Sequence, residues 1–188
     1  ALVAEPLALL ADSAIVGHLG TEPLAGLGVA SAVLLTAANL FVFLAYGTTA
    51  AVARRLGAGD ERGAVADGID GLWLATLLGG ATAVPVALGA AALVGWFGAG
   101  AGAAGEATTY LRISALGLPA MLVVLAGTGV LRGLQDTRTP LVIATVGFGT
   151  DAALSLLLVH GVGLGIAGAA WGTVVAQVGM AVALVAVV

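Results

Sequence analysis

Long apolar stretches, separated by short groups of charged, Gly and Pro residues, dominate the pattern along this chain. A helix needs about 20 apolar residues to cross the hydrocarbon core of a bilayer, and most of these stretches are at least that long. Dividing the chain at the charged and Gly/Pro groups predicts six transmembrane helices, at 2–18, 24–53, 65–97, 107–131, 141–160 and 166–188. The predicted fold class is therefore all-α: a polytopic membrane bundle that forms a single transmembrane lobe over residues 1–188.

The composition agrees with a membrane location. Hydrophobic residues make up 61% of the chain and charged residues 9%, whereas a soluble domain carries roughly 25% charged residues. The mean hydropathy is +1.16. There are no cysteines, which excludes a disulfide framework, a thiolate metal site and a cysteine nucleophile. Both chain ends fall inside apolar segments, so we expect this sequence to be a fragment of a longer protein.

The arginines predict the orientation in the membrane. The connections after the second and fourth segments carry all but one of them: Arg54, Arg55, Arg62, Arg132 and Arg138. The alternate loops, at 20–23, 98–106 and 161–165, contain no Lys or Arg. Because basic residues mark the cytoplasmic side, the amino end is predicted to be cytoplasmic, in a multi-pass protein of the plasma or inner membrane.

Acidic residues inside the apolar segments are the main candidates for function. An ionisable group at the bilayer centre costs roughly 2.5 to 3.5 kcal/mol on insertion scales and usually marks a substrate or ion pathway. Asp12 on the first segment and Asp151 on the fifth are interpreted as cation-coupling residues. Glu5 lies two helical turns before Asp12 and on the same face, but a solvated position near the interface is the favoured interpretation for it.

Three neutral polar residues are possible cavity-lining positions: Ser155 and Thr145 on the fifth segment, and Asn39 on the second. The alternative for the hydroxyls is a bond to their own helix backbone, and for Asn39 a bond between helices. His18 and His160 have no further ligand at metal spacing, so no metal site is predicted. The sequence contains no catalytic motif and no phosphate-binding loop, so we do not expect an enzyme or a bound cofactor. Nucleic acid is not an expected partner.

Three segments resemble the multidrug and toxic compound extrusion (MATE) family, and its DinF-like branch in particular. Residues 11–20 and 23–27, ADSAIVGHLG and PLAGL, are similar to the first-helix signature of that family. Residues 129–140, GVLRGLQDTRTP, resemble the loop between its fourth and fifth helices. Residues 151–173, which end in GAAWGT, are similar to its fifth and sixth helices.

The resemblance implies the amino-terminal half of a transporter with about twelve helices in two lobes. Such proteins exchange protons or sodium for cationic or lipophilic compounds as they alternate between inward-open and outward-open states. Asp12 matches the first-helix acid associated with cation coupling. On the fifth helix the family pattern is Asn followed four residues later by Asp, and here Asp151 occupies the Asn position and Ser155 the Asp position, so the acid has moved by one turn.

The sequence therefore predicts a secondary active efflux antiporter, with the lipid bilayer, small organic substrates and a second six-helix lobe as partners. Two alternatives remain open: a lipid-precursor flippase of related architecture, and a membrane scaffold that transports nothing. Arg112 is the only arginine within a predicted membrane segment and the chain has no lysine, whereas a flippase for anionic lipids would use a basic groove. Sequence reasoning leaves open the substrate, the choice between protons and sodium, the role of Asp151 and the oligomeric state.

Overall fold

The computed structural model describes the backbone of residues 4–188 and the side chains from residue 10 onward. Over this part the chain is helical and contains no strand. The helices are α1 (Ala4–Gly17), α2 (Thr21–Leu40), α3 (Phe43–Gly57), α4 (Glu61–Leu88), α5 (Ala90–Trp96), α6 (Ala101–Ala115), α7 (Leu118–Gly133), α8 (Arg138–Leu156) and α9 (Ile166–Val187). A π-helical segment, Leu157–Gly161, continues α8.

Each apolar segment predicted from the sequence corresponds to one of these helices or to a consecutive group of them. Within the described residues, four helices are long and apolar enough to cross a membrane, or up to five if the bent pair α6 and α7 is one span. The described part of α1 has 14 residues, which is shorter than the 20 or so that a complete crossing needs. The all-α fold class is confirmed.

Breaks divide the long segments into shorter helices. The fourth segment bends by 56° between α6 and α7, and Pro119 lies in the first turn of α7. A proline is tolerated in the first turn because the backbone donor it lacks would be unpaired there in any case. Pro85 lies inside α4, which ends three residues later at Leu88. The backbone N–H of Gly89 donates to the carbonyl of Pro85. Both prolines therefore lie close to a helix break.

The connections lie at two ends of the bundle. We call the end with the connections 58–60 and 134–137 the arginine end, and the end with the connections 18–20, 97–100 and 162–165 the histidine end. The larger core cluster draws on α1, α2, α5, α6 and α9 and lies toward the histidine end. A second cluster, from α3, α4, α7 and the last turns of α9, lies toward the arginine end. The buried core is therefore split between the two halves of the bundle.

Small residues let the helices of the second cluster approach closely, as is usual in membranes. A side chain at Gly79 of α4 would overlap the backbone of Pro119 on α7, whose nitrogen would be 2.9 Å from the added Cβ. The hydroxyl oxygens of two threonines of α3 lie within hydrogen-bonding distance of carbonyl oxygens of α7: Thr48 is 3.2 Å from Ala126 and Thr49 is 2.9 Å from Gly129. The helices α3, α4 and α7 are therefore closely interlocked.

Charged residues at the arginine end bond to groups near the helix termini. Arg55 forms salt bridges with Asp60 at 3.2 Å and Asp67 at 3.1 Å. Asp136 accepts a hydrogen bond from the hydroxyl of Thr139, and its other oxygen accepts bonds from the backbone N–H groups of Thr139 and Arg138. The Thr139 hydroxyl, followed by its N–H, lowers the pKa of Asp136, because these donors favour the ionised carboxylate.

Candidate functional site

A cavity of about 150 Å³ lies inside the bundle. It is formed by six helices, α1, α2, α6, α7, α8 and α9. Its lining combines an apolar wall with convergent polar groups: Asp12, Leu27, Ser31, Leu34, Leu35, Ala38, Tyr110, Met121, Phe148, Asp151, Thr173 and Gln177. An apolar pocket with a few polar groups is the usual form of a small-molecule site.

The two acids predicted from the sequence line this cavity together. Asp12 projects from α1 and Asp151 from α8, two helices that pack against each other. Asp151 is only 6% exposed. Because both carboxyl groups line the same small cavity, they repel each other when both are ionised. Lysine is absent from the chain and no arginine is among the lining residues, so within the described residues nothing basic in the lining neutralises the pair.

Asp12 has an unsatisfied oxygen. Its Oδ1 is buried and has no hydrogen-bond partner among the described residues. A buried acceptor without a donor is costly, and the cost is removed when the carboxyl takes up a proton or when the oxygen binds a cation. The pair Asp12 and Asp151 can therefore hold positive charge in an otherwise apolar part of the bundle.

Ser155, the third residue singled out on the fifth segment, lies next to Asp151 without lining the cavity. It is fully buried; its hydroxyl donates to Asp151 Oδ1 at 3.4 Å and lies 3.5 Å from the carbonyl oxygen of Ala169 on α9. Gly172 of α9 makes this approach possible, because a Cβ there would be 2.9 Å from the Ser155 nitrogen. Ser155 thus ties the acid of α8 to α9.

Four polar lining residues were not identified from the sequence: Ser31, Tyr110, Thr173 and Gln177. Tyr110 is 4% exposed on α6, and Thr173 and Gln177 are four residues apart on α9, hence on one face. A lone amide in an apolar membrane segment could have drawn attention to Gln177. Tyr110 and Thr173 gave no such signal, since single aromatic and hydroxyl residues are common in packed helices.

Asn39 and Thr145, which the sequence offered as possible cavity-lining residues, are not among the residues of this lining. Both are exposed on the bundle surface. The Asn39 amide donates to the carbonyl of Leu35 at 2.9 Å, and the Thr145 hydroxyl donates to Leu141 at 2.8 Å. Each polar group is satisfied by its own helix one turn back, which was the alternative considered for Thr145. The side chain of Glu5 lies outside the described residues.

The sequence profile of the MatE family matches residues 1–157. The chain belongs to the MatE family. Members of this family are transporters rather than enzymes. The chain is accordingly a multi-pass membrane protein of a family that includes multidrug transporters.

Curated relatives of this MatE chain come from plants and bacteria. It is 34% identical over 189 residues to Protein DETOXIFICATION 44, chloroplastic, of Arabidopsis thaliana, covering 94% of this chain and 36% of that protein. It is 31% identical over 176 residues to DNA damage-inducible protein F of Escherichia coli (strain K12), covering 92% of this chain and 38% of that protein. The second relative supports the DinF-like resemblance. The chain spans between one third and two fifths of the length of these relatives.

Solved MATE structures share this fold. A MATE in its bent conformation superimposes with a TM-score of 0.90 at 29% identity, covering 96% of this chain and 40% of the other. Inward-facing and outward-facing structures of a multidrug resistance MATE family transporter superimpose with TM-scores of 0.89 and 0.90, at 30% and 29% identity and 41% of their length. The likeness therefore extends to related proteins solved in two transport states.

Proposed function

We propose that this MatE chain is the amino-terminal lobe of a secondary active efflux transporter. A second six-helix lobe, absent from this sequence, would complete the transport pathway. The assembled protein exports drugs or other toxic organic compounds in exchange for protons or sodium by alternating access. The observation that carries the proposal is the pair of carboxyl groups, Asp12 and Asp151, in one cavity between helices of the lobe.

The coupling residues of the proposed cycle are Asp12 and Asp151. Uptake of a proton or a cation relieves the repulsion between the two carboxyl groups and satisfies the unpaired Oδ1 of Asp12. The occupied cavity therefore favours a different packing of α1 against α8 from the empty one, and a ligand shifts the balance of states only through such a difference. Substrate competes for the same cavity, which links export to ion entry.

The charge of the cavity argues against the flippase alternative. An anionic lipid headgroup would meet two carboxylates, and the described lining offers no arginine to bind it. An organic cation would instead meet the acids together with the aromatic rings of Tyr110 and Phe148, which attract positive charge at their faces. A scaffold without transport activity would have no use for buried acids, which are expensive in a membrane.

We further propose that the arginine end is cytoplasmic, as is the amino terminus, and that the protein lies in the plasma or inner membrane. This proposal is supported by the position of five of the six arginines at one end of the bundle, since basic residues mark the cytoplasmic side: Arg54, Arg55, Arg62, Arg132 and Arg138. Since this chain has no cysteine, single cysteines in place of the exposed Ala58 and Gly100, whose φ angles suit any residue, can be tested with a membrane-impermeant maleimide in intact cells. Labelling at 58 and protection at 100 would overturn the orientation.

Substrate efflux by the full-length natural protein in proteoliposomes tests the coupling proposal. An imposed proton gradient in sodium-free buffer, and separately a sodium gradient at equal pH, should show which ion drives efflux. Asp12→Asn and Asp151→Asn should each abolish the ion-driven component. Unchanged efflux with unchanged ion dependence in Asp12→Asn would sink the proposal.

The matched control is Asp70→Asn. Asp70 is an exposed acid of α4 that does not line the cavity, so the same change of charge there should leave the ion dependence of efflux intact. If the Asp70 variant lost coupling to the same extent as the Asp12 variant, the effect would belong to net charge rather than to the cavity.

A further inference from the structure

The fold brings together two histidines that are far apart in the sequence. His18 follows α1, and His160 belongs to the π-helical segment that continues α8. Their ring centroids are 6.3 Å apart, and the rings meet edge to face at 76°. Both side chains are exposed at the histidine end, away from the cavity that holds the acids. They are the only two histidines of the chain.

His18 is held with one nitrogen engaged. Its Nδ1 lies 2.6 Å from the carbonyl oxygen of Ala14, a contact in which the ring nitrogen must act as the donor. Assigning the proton to Nδ1 in this way leaves the lone pair of Nε2 free. A metal-binding histidine typically donates its other ring N–H to a backbone carbonyl or a carboxylate, which fixes the tautomer and the ring orientation. His18 therefore has the arrangement of a metal ligand.

The π-helical segment places the second ring. The N–H of Val162 bonds to the carbonyl of Leu157 at 2.9 Å, a bond across five residues that widens the last turn. A π turn shifts all later side chains around the helix relative to α-helical phasing, and such turns are frequent at functional sites. His160 lies within this widened turn, and its ring faces that of His18 at the end of the first helix.

We propose that His18 and His160 bind a divalent transition-metal ion of the Zn²⁺, Ni²⁺ and Cu²⁺ class, which joins the end of α1 to the fifth span. Imidazole nitrogens suit these metals. With metal–nitrogen bonds of 2.0–2.1 Å in tetrahedral geometry, two ring centroids lie about 5 Å apart. The rings are thus about 1 Å farther apart than such a site requires, a distance that exposed side chains cover by small rotations.

Solvent completes the coordination. Among the described residues no group of three or more His, Cys, Asp or Glu side chains could surround one ion. Two protein ligands with water in the remaining positions give a weaker and more readily exchanged site than a closed structural zinc site. An ion held in this way is expected to respond to the metal concentration at the histidine end, and to restrain α1, the helix that carries Asp12.

Calorimetric titration of the full-length natural protein with ZnCl₂, and with NiCl₂ as a second probe, tests the proposal without depending on transport. His18→Asn is the informative variant, because the Asn amide can still donate to Ala14 while the Nε2 ligand is lost. We expect His18→Asn and His160→Asn each to weaken this binding by at least tenfold, and the double variant to be little weaker than either. Thr21→Ala, a change at the same end that leaves both imidazole rings in place, should bind the metal as the natural protein does.

A second measurement separates bridging from independent binding. An ion that binds only the folded protein raises the unfolding temperature once its concentration exceeds the Kd, and further as that concentration increases. Zn²⁺ should therefore raise the unfolding temperature of the natural protein at concentrations that leave both single variants unchanged. Two results would mean an adventitious ion only and would overturn the proposal. One is a Kd for Zn²⁺ in the single variants within about twofold of that of the natural protein; the other is an unfolding temperature of the natural protein that Zn²⁺ does not change.

Discussion

Ser155 donates a hydrogen bond to Asp151 across one turn of α8, with 3.4 Å between Oγ and Oδ1. The bond is fully buried, and the same hydroxyl lies 3.5 Å from Ala169 of the neighbouring helix α9. The acid is thus held by a residue from its own helix that also contacts the next one, which limits the directions in which the carboxyl can turn. Any change at Ser155 should be felt at the cavity through Asp151.

Ser155→Ala should weaken ion coupling without unfolding the lobe. The loss of one hydrogen bond to a carboxyl group is worth about 1 kcal/mol, so the concentration of driving ion at half-maximal efflux should rise about fivefold. Ion titrations of efflux in proteoliposomes give this value. Thr145→Ala removes an exposed hydroxyl from the same helix and is the control; an equal shift in both variants would mean that the bond to Asp151 has no role.

Gln177→Leu should alter which compounds are transported. The amide is a neutral hydrogen-bonding group of the cavity lining, and its loss should raise KM several-fold for substrates with hydrogen-bonding groups while apolar substrates are little affected. Asn39→Leu, the same kind of change on the exposed face of α2, should leave the substrate profile unchanged. The KM values of both variants for a panel of substrates test this prediction. Identical substrate profiles for the two variants would show that Gln177 is not part of the site.

Gly79→Ala should destabilise the lobe strongly, whereas Gly80→Ala should not. The added methyl group at 79 meets the Pro119 backbone, which cannot move aside as a side chain could, and such overpacking typically costs about 1–3 kcal/mol. At Gly80 nothing lies within 4 Å, so a gain of about 0.5–1 kcal/mol from better helix propensity is expected. Thermal unfolding of the two variants in detergent should give shifts of opposite sign.

Asp136→Asn should lower the unfolding temperature at neutral pH but not in acid. The pKa of Asp136 is lowered in the folded protein, so the ionised carboxylate favours folding above the ordinary pKa of an aspartate, near 4. That contribution is lost as pH falls through the lowered folded pKa. The difference between variant and natural protein should therefore be full at pH 6–7 and shrink toward zero below about pH 4. A pH-independent difference would assign the effect to geometry alone.

The positions of the helices could be predicted because the membrane imposes length and polarity on each segment. The predicted segment at 24–53 corresponds to α2 and α3 together, and that at 166–188 to α9 within a residue. The break at Phe41 between α2 and α3 could not be predicted, since no proline marks it. It depends on how the two halves pack against different neighbours, which the hydrophobicity of one segment does not encode.

The cavity was predictable only in part. Buried charge is rare enough in membranes for Asp12 and Asp151 to stand out individually, and both line the site. Asn39 was no less polar than Gln177, but which face of a helix points inward depends on the partners of that helix, and segments apolar all round give no periodic signal. The pairing of His18 with His160 required tertiary structure, because the two lie at opposite ends of the sequence.

The 56° bend between α6 and α7 gives one span two groups of neighbouring helices. Its first half packs chiefly against α2 and its second half chiefly against α3 and α4, while α9 packs against both halves. At Gly117 the chain passes from one group to the other through a single tight turn, whose N–H bonds to Ser114. The lobe is therefore not a bundle of straight, independent spans: the bent span changes its neighbours at Gly117, while the continuous helix α9 packs against it on both sides of the bend.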